Sequence, residues 1–159
     1  MTATDGPQAL REAQLARLAT QLTSLELLLR GATPAAIRRK PSSDKWSACE
    51  NLAHLARYHE VFMARVDRIL AEAAPRFPRY RAEEDLEWPS WQSLPIETVT
   101  RRLTTLRGDL IRKIGAIAPD DFSRVGVHPA FGEMTLTEWL EFFLVHEGHH
   151  LYVILQRVR

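Results

Sequence analysis

The sequence has one cysteine, Cys49, so no intramolecular disulfide can staple the chain, and no Cys-x-x-Cys pair offers a zinc knuckle or redox couple. It has no surplus of either charge. Its 21 Lys and Arg balance 20 Asp and Glu, and a net charge of +1 gives no electrostatic drive towards a phosphate backbone. Long apolar runs are missing too: the longest, such as Leu27–Leu29 and Phe142–Val145, fall far short of a membrane span. The opening residues, MTATDGPQALREAQ, lack the basic start and apolar stretch of a secretory signal. These absences lead us to expect a reduced, cytoplasmic, soluble protein with neither nucleic acid nor membrane as partner.

What is present is an ordinary globular composition. The 159 residues are 45% hydrophobic and 26% charged, which excludes disorder and fibrous repeats and suits a single domain spanning 1–159. A chain of this size buries about 68–70% of its unfolded surface, enough for a full core.

Hydrophobic spacing predicts four long helices. Leu15, Leu18, Leu22, Leu25 and Leu29 mark the first, from about Pro7 to Arg30, stopped by Gly31 and Pro34. Residues 37–44, with Arg38, Arg39 and Lys40, read as a solvated connection. The second helix starts at Ser47, with Glu50 as capping-box partner, and runs through Leu55, Phe62, Val66 and Ile69 to a stop before Pro75. A proline-marked stretch, Pro75–Pro95, lacks both helical and strand periodicity and is the candidate lid. The third helix spans about Ile96–Ile117. After a turn over Val125–Gly132, Thr135 or Thr137 caps the fourth, whose apolar face carries Leu136, Trp139, Leu140, Phe143 and Leu144. With no convincing strand, the fold class is all-α, a four-helix bundle. Connections of this length permit up-down and crossover topologies alike.

Histidines carry the chemical signal. His146 and His150 stand about 40° apart around the last helix, one turn from each other, the helical way of offering two imidazoles to one ion. His54 is the candidate third ligand. It lies at the margin of the buried stripe of the second helix beside Tyr58 and Arg65, as His146 and His150 lie at the margin of the fourth, and such margins converge at one end of a bundle. His59 and Cys49, each about 140° from His54, face elsewhere. His149 flanks the pair and is a candidate substrate contact together with Tyr58 and Arg65.

His146-Glu147-Gly148-His149-His150 also matches the His-Glu-x-x-His signature of zinc proteases. Such enzymes need a further ligand downstream, where this chain has Gln156, and no substrate-aligning strand is evident. Glu147 is expected instead to hydrogen-bond a ligand imidazole or act as a base, the alternative being a structural ion pair such as one to Arg65. Trp46, Trp88, Trp91 and Trp139 serve as core or loop anchors, or as an aromatic mouth for an apolar substrate.

Three segments then resemble one family. Lys45-Trp46-Ser47 with Glu50, Leu52, His54 and Leu55 is similar to the K-W-S-x-x-E-x-L-x-H-L opening of the second helix in the DinB/YfiT-like family. Residues 128–140, His-Pro-Ala-Phe-Gly-Glu-Met-Thr-Leu-Thr-Glu-Trp-Leu, resemble its H-P-x-x-G-x-x-T-L-x-E-W-L lead into the last helix, and 146–150 its closing H-E-x-x-H. The likeness runs in order from about Arg39 to the C-terminus and covers the first helix by architecture only. It implies a bundle with a crossover connection, a divalent metal at one end with His54, His146 and His150 on the ligand positions, and a homodimer. It also implies a metal-dependent hydrolase, or a transferase using a low-molecular-weight thiol as cosubstrate with a small-molecule acceptor. Three neutral imidazoles with open positions suit zinc first, and nickel, iron or manganese as well. The competing readings are a non-catalytic metal-binding bundle and a stress-induced structural protein with vestigial histidines.

Overall fold

The computed structural model describes residues 5–159, so residues 1–4 of the expected domain lie outside it. The first predicted helix is present with a break. α1 (Asp5–Thr20) and α2 (Ser24–Leu29) are joined by a 3-10 turn at 21–23, and Gly31 at φ +76° ends the rod in a conformation that a side chain disfavours. The connection holds a short helix the periodicity did not suggest, α3 (Pro34–Arg38), capped by Thr33 accepting from the Ala36 N–H at 3.1 Å.

α4 (Ala48–Ala71) starts as expected. Ser47 Oγ accepts from the Glu50 N–H at 3.1 Å while Glu50 Oε2 accepts from the Ser47 N–H at 2.8 Å. Such a cap contributes about 1 kcal/mol. The proline-marked stretch is ordered by two devices. Residues 75–77 pair with the hairpin below through Val127 N–H to Pro75 O (2.8 Å) and Phe77 N–H to Val127 O (3.1 Å), and α5 (Trp88–Gln92) buries Trp88 and Trp91. α6 (Ile96–Gly115) follows.

The expectation of no strand is corrected. β1 (Val125–His128) and β2 (Gly132–Thr135) form an antiparallel hairpin with His128 opposite Gly132. Strands this short carry no alternation to read. Gly132, at φ +74°, closes the turn, and a Cβ on Gly126 would stand 2.9 Å from Ile69 and Phe77 side-chain atoms. Thr135 then caps α7 (Leu136–Val158), with Glu138 completing a second capping box.

α4 packs against α6 and α7, and α1 packs against the same two. α1 and α4 therefore face each other across a diagonal, as do α6 and α7, so the links α1–α4 and α6–α7 are crossovers. This gives a four-helix bundle in which α4 and α7 are antiparallel neighbours, the end of α7 reaching the start of α4 through Arg157 Nε to Trp46 O at 2.9 Å. The core falls in two parts. Leu18, Phe62, Val66, Leu110, Trp139 and Phe143 fill one, and Leu25, Leu52, Leu55, Leu103, Leu151 and Ile154 the other. A layer of buried polar side chains separates them. Among the described residues, no helix is long and apolar enough to cross a membrane.

Candidate metal centre

His54 sits in the second turn of α4, and His146 and His150 on the facing half of α7. Antiparallel packing brings them together: each offers one ring nitrogen, and the three lie within 4.8 Å of one another. His54 Nε2 and His146 Nε2 are 3.2 Å apart. Two nitrogens bound at about 2.0–2.1 Å to one tetrahedral ion stand roughly 3.4 Å apart, so this pair is already at ligand spacing. His150 is held from behind, its Nδ1–H donating to Asn51 Oδ1 at 2.7 Å while Asn51 donates to Ser47 O at 2.8 Å. That bond fixes the tautomer and leaves the Nε2 lone pair of His150 free.

The donor set fits a divalent ion. Burial, with the neighbouring histidines adding to it, pushes the three imidazoles down from the ordinary 6.5: His54 to about 3, His146 to about 4 and His150 to about 2. They are neutral at physiological pH, the form that ligates. Two facing nitrogens can share only one proton, and His54 Nδ1 and His146 Nδ1 are buried without a protein partner. An apolar replacement would cost less than this arrangement. A cation between the rings is what it suits.

The centre opens on a cavity of about 490 Å³. Trp46, 4.9 Å from the His54 ring, Tyr80 at 5.8 Å, and Tyr58, 4.5 Å from the His146 ring, wall it on one side, which is why His54 is only 5% exposed and not at an open margin. Trp88, Trp91 and Trp139 are buried anchors. The candidate lid lies along the mouth as a wall, contributing Arg79 to Glu83. Burial raises the Tyr58 hydroxyl above its usual value, keeping it a neutral phenol.

Of the expected substrate contacts, Tyr58 and Arg65 line the cavity and His149 does not. His149 is exposed on the outer flank of α7, its ring 5.2 Å from that of His150, because its position on the wheel turns it away from α4. Glu147 is a second correction. It is fully buried and bonds no ligand imidazole. Its Oε1 accepts from Arg107 Nη2 and, at 2.9 Å, from Gln21 Nε2, and its Oε2 lies 3.9 Å from His59 Nε2. One residue past His146, it is rotated about 100° into the bundle, where it has no access to the cavity and pairs with Arg107 instead of Arg65. Burial raises its carboxyl, against the pull of Arg107 and Gln21. His59, as expected, faces away, and its Nδ1–H donates to Leu55 O at 2.7 Å. Cys49 is a buried small side chain.

Asn51, His128 and Arg79 join the site unannounced. Asn51 stands three residues before His54, a signal that helix geometry contains. His128 is carried to the mouth by the hairpin, which Trp139 Nε1 anchors through Gly126 O at 3.2 Å. Arg79 sits in the segment without periodicity and has no sequence signal.

The fold and the cluster define a class: crossover four-helix bundles with a three-histidine centre at one end. The chain belongs to the DinB superfamily, whose pattern residues 17–154 match. It is 29% identical over 136 residues to the uncharacterized protein YuaE of Bacillus subtilis (strain 168), covering 77% of this chain and 83% of that one. The fold is shared with YfiT from Bacillus subtilis, described as a probable metal-dependent hydrolase with an unusual four-helix bundle topology (TM-score 0.74, 17% identity, 99% of this chain and 88% of the other). It is shared also with TT2238, a four-helix bundle protein (TM-score 0.66, 23% identity, 90% of this chain and 96% of the other).

Proposed function

We propose that this protein is a metal-dependent enzyme, a hydrolase or a thiol-dependent S-transferase, acting on a small molecule at a divalent ion held by His54, His146 and His150. The observation that carries this reading is the convergence of three neutral imidazoles, His54 buried and His146 and His150 half-buried, at the floor of a cavity large enough for a small substrate. A zinc ion held by these residues, or nickel, iron or manganese, would supply Lewis acidity and lower the pKa of a water or thiol towards neutrality. The protein does the rest. Asn51 holds His150 in its ligating tautomer. Trp46, Tyr58 and Tyr80 exclude bulk water from one flank, which strengthens every charge interaction inside. Tyr58 accepts from Arg65 Nη1 at 3.5 Å, so its own proton points away from the guanidinium and is available to an acceptor in the cavity. Glu147 has no proton-transfer part; it faces the bundle interior, away from the cavity, and pairs with Arg107.

The test is turnover. Zinc-loaded protein is incubated with glutathione, bacillithiol or mycothiol and a panel of electrophiles, and separately with amide and ester substrates. Metal-dependent consumption that disappears in His146→Ala is expected. Stoichiometric metal with no turnover under any thiol contradicts the enzyme and leaves a binding protein.

A further inference from the structure

Arg65 is a guanidinium buried without an anion. It is 7% exposed, donates from Nη2 to Pro78 O at 2.9 Å and from Nη1 to Tyr58 Oη at 3.5 Å, and lies over the rings of Phe77 and Trp139. No carboxylate of the described residues pairs with it, whereas Arg107, equally buried, has Glu147, and Arg57 has Asp85 and Glu60. A charge taken out of water costs several kcal/mol unless a counter-charge meets it. Arg79 lines the same cavity and has no acidic partner among the described residues either; Arg81, beside it, is tied to Glu84 at 3.7 Å.

His128 completes the group. Its Nδ1 accepts from the backbone N–H groups of Ala130 and Phe131, both at 3.1 Å, so in the neutral ring the proton sits on Nε2, a donor. Arg65, Arg79 and His128 line the same cavity as the His146 and His150 rings, which places both guanidinium groups around the mouth. Beside these donors stands an apolar wall: Phe131, 65% exposed, stacks on His128 at 4.6 Å, with Phe142 at 6.0 Å from Phe131. Glu83 is the one carboxylate among the residues lining the cavity.

We propose that Arg65, Arg79 and the Nε2–H of His128 form an oxyanion subsite, and that the substrate carried to the three imidazoles is a small organic anion, a carboxylate or phosphate ester, whose apolar body lies against Phe131 and Phe142. Two guanidinium groups give the fork-shaped donors that planar oxyanions match, and charge-assisted bonds of this kind are about twice as strong as neutral ones. The substrate class rests on the cluster being an active site; the subsite itself uses no metal ligand and is tested without metal.

The experiment is calorimetric titration of the full-length, EDTA-treated protein with benzoate, phenyl phosphate and the neutral benzamide. One or both anions are expected to bind at least about tenfold more tightly than benzamide, and the tighter of the two identifies the carboxylate or phosphate source. Arg79→Gln is expected to remove about tenfold of anion affinity, with Arg79→Lys restoring part. Arg65→Gln should remove more, but it also strips two packing bonds, so the exposed Arg79 decides if that variant fails to fold. Benzamide binding as tightly as the anions, anion affinity unchanged in Arg79→Gln, or no anion binding below about 10 mM overturns the subsite. A parallel zinc titration separates the two claims. Anion discrimination without zinc binding supports the subsite against the metal centre, and zinc binding without discrimination does the reverse.

Discussion

α7 carries two buried polar clusters on adjoining faces, and they are built on opposite principles. On the face towards α6 and α1, Glu147 meets Arg107 and Gln21, and the layer lies between the two halves of the apolar core. Its charges cancel within the protein. On the face towards α4, His146 and His150 meet His54, and nothing among the described residues completes them: two ring nitrogens confront each other at 3.2 Å, two more are buried without partners, and only His150 is bonded, through Asn51. The first cluster is a closed account of structure. The second is an open one, with a donor set that suits a divalent cation. One residue of helix, a turn of about 100°, separates a structural carboxylate from a candidate ligand.

The comparison breaks most visibly in acid. Folded, His54 and His59 titrate near 3, His146 near 4 and His150 near 2, against 6.5 when the chain is unfolded. Between pH 6.5 and about 4 the unfolded chain therefore binds more protons, and stability falls as the pH falls. Each group contributes up to about 1.4 kcal/mol per pH unit, roughly 5 for the four together, so urea midpoints of the metal-free protein should collapse between pH 6.5 and 5. His59→Gln should remove about a quarter of that slope, since His59 belongs to the structural side.

The next effect separates the clusters directly. Glu147→Leu strands the Arg107 charge and should cost about 3–5 kcal/mol in urea denaturation, whereas adding Arg107→Met should recover most of it. Zinc binding by the double variant is expected to persist; its loss would mean that the closed cluster positions the open one. Smaller still is Asn51→Ala. Freed of its outer hydrogen bond, His150 should lower zinc affinity by about 10–100-fold in a competition titration, with little change in the fold.

The long helices were legible because their apolar spacing and caps are local: Ser47 with Glu50, and a threonine before Leu136, mark starts that the structure keeps. The three histidines were legible because two share a turn of one helix and the third lies on a margin that a bundle must turn inward. The hairpin was not, since strands of four residues hold together through Gly126, Trp139 and the paired 75–77 segment, all contacts across the fold. Glu147 was misplaced for a related reason. Its sequence neighbours are candidate ligands, but its partner, Arg107, comes from a helix forty residues away and only packing reveals it. Arg79 and the wall it belongs to lie in the link between α4 and α6, ordered by the pairing of residues 75–77 with the hairpin and by the burial of Trp88 and Trp91, which no local pattern encodes.

The most direct measurement is metal content against sequence change: elemental analysis of untagged protein, wild type and His54→Ala, after equilibration with zinc and gel filtration. Near one ion per chain in the wild type, falling to a small fraction in a His54→Ala protein whose circular dichroism is unchanged, is the expected result. Equal zinc in both, or none in either, would contradict a centre shared by α4 and α7.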